Sequence, residues 1–144
     1  MNEEQTAAPK FVVIVAIISL VWNLMGCGIF LTEVFAQESM MESMTEKQKD
    51  WVRSTPNWVY ILFAISVSTG LAGSLFLWAR NRYCVVLYSI SLGAVLNQMI
   101  YTMVIAGGLQ VMGPSGAVMP TIVILLAVTW LIYAVSLLKK KALH

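Results

Sequence analysis

The sequence predicts an all-α integral membrane protein, a four-helix bundle with a short amphipathic helix in its first outer loop. Three observations lead there. Hydrophobic residues make up 59 % of the 144 residues and charged residues 11 %, whereas a soluble domain carries about 45–50 % apolar and about a quarter charged residues. The mean hydropathy is +0.80. Four apolar runs, each long enough to cross a hydrocarbon layer of about 30 Å, account for most of the chain, so its length counts spans within one membrane domain, residues 1–144.

The first run, Phe11 to Phe35, follows Lys10 but exceeds the roughly 7–15 residues of a signal-peptide apolar core, so it reads as a span. The others are Asn57 to Ala79, Cys84 to Ala106 and Val118 to Leu138. At about 1.5 Å rise per residue each crosses the bilayer with some tilt. Thr55 before Pro56 reads as an N-cap followed by proline at the first helical position, and Pro120 sits in the first turn of the last helix. Between the first two spans, Thr45-x-x-Gln48 fits a capping box, and Met44, Gln48 and Trp51 fall on one helical face. A short helix over about 45–54, lying on the outer surface, follows. The connection from Gly107 to Ala117 is glycine-rich and carries no charge, which predicts a tight turn.

Lys10, Arg80, Arg82 and Lys139 to Lys141 fall on one side of the four spans, while Lys47, Lys49 and Arg53 on the other are interleaved with Glu38, Glu42, Glu46 and Asp50. The excess of basic residues places both termini in the cytoplasm. A net charge of +2 with scattered basic residues gives no nucleic-acid footprint. Cys27 and Cys84 begin from opposite depths, too far apart for a disulfide. With one histidine, His144, no paired intramembrane carboxylates and no phosphate loop, the chain offers no catalytic residue, metal site or cofactor ligand, and no enzyme is expected.

What remains is a set of polar and small residues inside apolar helices. Asn23 lies at the middle of the first span and Asn97 close to the middle of the third, on helices that run parallel, so the two amides are expected at similar depth. An unsatisfied amide in an apolar environment costs a few kcal/mol, so each must face protein, water or ligand. Two readings stand. The amides hydrogen-bond each other and fix helix packing, or they line a polar cavity with Trp22 and with Tyr101, one turn beyond Asn97, and bind a neutral polar solute. Gln98 points about 100° away from Asn97 and suggests a second contact, across a subunit interface.

Glu33 is the only acidic residue within an apolar run and the candidate for ion or proton coupling, but it lies about 15 Å outward of Asn23. Its alternative role is an ion pair with Lys47, Lys49 or Arg53. Ser66, Gly70 and Ser74 form a small-x-x-x-small ladder on the second span, and Gly26 and Gly93 are further candidates for close helix packing. The methionines are expected to serve bilayer and core packing.

Trp22-Asn23-Leu24-Met25-Gly26, Thr55-Pro56-Asn57-Trp58, the Arg80-Asn81-Arg82-Tyr83 turn and Gly113-Pro114-Ser115-Gly116 together resemble a family of small, uncharacterised four-span proteins of the bacterial inner membrane, some labelled by default as sugar transporters. The resemblance runs from about Lys10 to Lys140 and implies the same fold and a bacterial inner-membrane location. The leading functional expectation is a homo-oligomer that binds or transports a small neutral or amphiphilic molecule through Trp22, Asn23, Asn97, Gln98 and Tyr101. A packed bundle leaves little interior room, so a solute path is expected between subunits or in a splayed bundle. The alternative is an accessory or scaffold protein that docks a membrane partner through its acidic outer helix.

Overall fold

The computed structural model describes residues 9–144; residues 1–8 of the expected domain lie outside the described residues. The chain forms α1 (Pro9–Phe35), α2 (Gln37–Met41), α3 (Glu46–Arg53), α4 (Asn57–Trp78), α5 (Tyr83–Met99), α6 (Gly108–Met112) and α7 (Val118–Lys139), with no strand among these residues. Four of its helical segments are long and apolar enough to cross a membrane: Lys10–Phe35, Asn57–Trp78, Tyr83–Ile105 and Pro114–Lys139. Each satisfies its backbone internally, as a segment in hydrocarbon must. We call the end carrying α2, α3 and α6 the loop end, and the end where α7 finishes the tail end.

α4 is the centre of the packing. Against α1 it runs antiparallel in a fixed register, with Ser19 opposite Ser74, Asn23 opposite Gly70 and Gly26 opposite Val67, then Phe30 edge-to-face with Phe63 at 5.4 Å. The ladder Ser66, Gly70 and Ser74 is what allows this: all three are buried, and a methyl group on Gly70 would collide with Asn23 Oδ1. On its other side α4 meets α5. Ser91 Oγ donates to the Ser66 carbonyl at 2.8 Å, and the Tyr88 ring sits 3.1 Å from where a side chain on Gly73 would begin. Small residues thus bring both neighbours close to one helix, which is how apolar helices associate without a hydrophobic drive between them.

At the tail end the helices converge. Val12, Ala16, Leu77, Cys84, Ala134 and Leu137 form a buried cluster, and Phe11 meets Tyr133 edge-on at 6.1 Å. Ala142 and Leu143 are buried in the same cluster. Backbone bonds hold them there: the His144 amide donates to the Arg80 carbonyl at 2.8 Å and the Arg82 amide donates to the His144 carbonyl at 2.9 Å. Arg80 and Lys141 both take left-handed backbone conformations, φ 57° and 54°, to make the two reversals that bring these strands of chain together.

The loop end departs from expectation in two ways, at Pro56 and at the Gly107 to Ala117 connection. Pro56 itself, in extended conformation, is the N-cap of α4, and Thr55 Oγ1 donates back to the Trp51 carbonyl at 3.2 Å instead of capping forward. The Gly107 to Ala117 connection is no tight turn: Gly107 reverses the chain at φ 75°, and α6 and a 3-10 turn at Pro114–Ala117 follow. α3 has its capping box, with Gln48 N donating to Thr45 Oγ1 and Thr45 N to Gln48 Oε1, but the Met44, Gln48 and Trp51 face is folded onto the protein. Gln48 Nε2 reaches Met112 Sδ at 3.6 Å, and a methyl on Gly108 would stand 2.9 Å from Trp51 Cζ2. Packing against α6 gives that half-apolar face a partner.

Candidate functional site: an apolar cavity at the loop end

Beyond the tail-end cluster the helices part, and a cavity of about 440 Å³ opens between α1, α4, α5 and α7 with α2, α3 and α6 around its loop end. Of the two expected places for such room, between subunits or in a splayed bundle, the second is the one seen within this chain. At the loop end of the cavity α5 does not end as an α-helix. Its last turn, Ile100–Ile105, is π-helical, closed by the Ala106 amide on the Tyr101 carbonyl at 2.7 Å. A π-turn is wider than an α-turn and is costly unless the surroundings fix it. Nothing in the sequence signals it.

The walls have an unusual composition. Of the nine methionines, Met1 lies outside the described residues and the other eight all line this cavity. Met25 comes from α1, Met99 and Met103 from the end of α5, Met112 from α6 and Met119 from α7, with the remainder in the 40–44 segment. The tail-end cluster contains none among its buried residues, whereas Met41 is buried at the loop end. Thioether side chains are flexible and polarizable and adapt to the shape of what they surround.

Polar atoms at the cavity are few. Gln98 is buried, at 8 % exposure, and lines it; its Oε1 has no hydrogen-bond partner among the described residues. The indole N–H groups of Trp51 and Trp130, two further lining residues, are buried without a partner in the same way. Buried polar atoms are paired in most proteins; the Tyr133 hydroxyl, away from the cavity, is the fourth such atom among the described residues.

The candidate residues divide between the cavity and other surroundings. Trp22, Asn23, Gly26, Ser66, Gly70, Gln98 and Glu33 line the cavity; the others do not. Asn23 and Asn97 do not meet. Asn23 Nδ2 donates to the Ser19 carbonyl at 2.8 Å and to Ser74 Oγ at 3.3 Å, joining a buried hydroxyl group in which Ser19 Oγ contacts both Ser74 Oγ and Tyr88 Oη at 2.8 Å. Asn97 points outward, its amide donating to the Gly93 carbonyl one turn back at 2.8 Å. Tyr101 packs edge-on against Trp58 with ring centroids 4.6 Å apart. The α5 face turned to the cavity is that of Gln98 and Thr102, about 100° from the one expected.

Gly93 likewise packs against no neighbour within this chain, since a side chain there would meet nothing within 4 Å. Glu33 lies on the cavity wall with Gln37 and Tyr60, whose side chains hydrogen-bond each other at 2.9 Å. The ion pair expected for it is absent: the one pair among the described residues joins Lys49 to Glu46 at 2.8 Å. α3 turns its apolar face to the cavity, which leaves its charges on the far side. Among the described residues no group of His, Cys, Asp and Glu is placed to hold a metal ion.

No protein-family model matches the chain, and neither a curated protein nor a solved structure does.

Proposed function

We propose that this protein binds a small amphiphilic molecule in its loop-end cavity and passes it across, or releases it within, the bacterial inner membrane, with both termini in the cytoplasm. The observation that carries the reading is the concentration of all eight described methionines around one cavity. A wall of adaptable apolar side chains with a few hydrogen-bonding groups is the usual make-up of a small-molecule site. Closure at the tail end and separation at the loop end fit a site entered from one side. The resemblance to four-span bacterial membrane proteins supports the location.

The homo-oligomer belongs to this proposal as well. Asn97 and Gly93 form an outward patch on α5 at mid-span, and an amide facing acyl chains is costly. A second copy packed over the bare Gly93 surface would give that amide a polar partner.

Native mass spectrometry of the protein, extracted gently from its own membrane, tests both parts. The expected result is a defined oligomer that retains a stoichiometric non-lipid small molecule. A ligand-free monomer, or one attached to another protein, would instead favour an accessory role in which the exposed Glu42, Glu46 and Asp50 dock a partner.

A further inference from the structure

We propose that the ligand of this cavity is a lipophilic organic cation and that Glu33 is the group that holds its charge; the inference rests on the cavity being a binding site. Glu33 is the one charged residue in the cavity wall, which includes no Lys, Arg, His or Asp. It takes part in no ion pair among the described residues. Gln37 and Tyr60, polar side chains of the same wall, already share a hydrogen bond. A carboxylate in an apolar wall is expensive without a counter-charge, and the wall provides none.

The rest of the wall suits the same ligand. Trp22, Trp51, Tyr60, Phe63 and Trp130 contribute aromatic rings, whose faces attract cations, more strongly when water is excluded. The methionine thioethers are soft and polarizable and pack against large apolar substituents. An anion would meet the carboxylate with nothing to offset the repulsion. A neutral solute would leave Glu33 without a partner. The cavity volume of about 440 Å³ falls within the range of about 300–1,000 Å³ found for drug-sized ligands.

The experiment compares three probes of related shape and different charge on the full chain in lipid nanodiscs: tetraphenylphosphonium, tetraphenylborate and the neutral triphenylphosphine oxide. Equilibrium dialysis against protein-free discs of the same lipid removes partitioning into the bilayer. Saturable tetraphenylphosphonium binding is expected on the wild type, with no saturable tetraphenylborate binding. Glu33→Gln should weaken it by at least about tenfold, the least expected from losing a charge pair at the edge of an apolar site. Glu33→Asp should keep the preference for the cation over the neutral probe. An unfolding midpoint for Glu33→Gln matching the wild type excludes misfolding as the cause.

Triphenylphosphine oxide binding as tightly as the cation, or tetraphenylphosphonium binding undiminished in Glu33→Gln, would overturn the cation assignment while leaving the cavity as a ligand site. Saturable binding of none of the probes would overturn it too. The separate mass-spectrometric measurement then shows whether the broader proposal fails with it.

Discussion

Asn23 Nδ2 donates to Ser74 Oγ at 3.3 Å, and the bond ties the one mid-span amide of α1 into a buried hydroxyl network while leaving Asn23 on the cavity wall. Ser19, Ser74 and Tyr88 complete the network within 2.8–3.3 Å. The polar groups of the central seam are thus satisfied by one another.

The network makes a stability prediction. Ser19→Ala removes a hydroxyl that meets both Ser74 and Tyr88, and should cost about 1–3 kcal/mol because its partners stay buried. Ser74→Ala should cost a similar amount. The double variant should cost less than the two single costs combined, since both act on one network. Thermal or denaturant unfolding in a fixed detergent reads this out.

Two glycines should behave oppositely. Gly70→Ala drives a methyl into Asn23 Oδ1 and to within 3.1 Å of Ser91 Oγ, so a loss of about 1–3 kcal/mol is expected from overpacking. Gly93→Ala meets open space and should raise helix stability by up to about 1 kcal/mol in the single chain. If Gly93 packs against a second copy, the same change should weaken the oligomer, as should Asn97→Leu. Subunit number by native mass spectrometry separates the two effects.

α3 should be sensitive to acid. Lys49 hydrogen-bonds Glu46 and attracts its charge, which holds the Glu46 carboxyl below its ordinary range. A lowered folded-state value means the stabilisation is present above the ordinary carboxylate range and is lost as pH falls through the folded-state value. The protection of the Glu46–Arg53 amides, taken relative to their intrinsic exchange rate at each pH, should therefore fall on acidification through that range, and Lys49→Met should flatten the response. Thr45→Ala, which removes one half of the capping box, should speed the same amides at every pH, by the equivalent of about 1 kcal/mol.

Much of the fold was legible. The four spans stand out because their apolar runs are long and their ends carry glycine, proline or charge, and the Thr45 and Gln48 cap follows from residue chemistry at a fixed spacing. The Ser66, Gly70 and Ser74 ladder could be found for the same reason. The phase of each helix could not. α5 is apolar on nearly every side, so its sequence does not distinguish the Asn97 and Tyr101 face from that of Gln98 and Thr102, and the amide that looked central proved to point outward. The outward depth of Glu33 was legible, but not that it shares a cavity wall with Gln37 and Tyr60, because the sequence does not say where the chain folds beyond α1. The methionines signalled nothing singly; only the fold gathers them from five separate stretches of chain, and no periodicity in the sequence encodes that.

The central claim, that the cavity is occupied in its working state, is tested most directly by filling it. Ala127 lies on the α7 wall, and Ala127→Trp places a large side chain there without removing any hydrogen-bonding group. Native mass spectra of the wild type and this variant, extracted identically, should show a small-molecule adduct on the first and its loss from the second, at the same subunit number. An adduct of equal occupancy on both, or none on the wild type, would contradict the account.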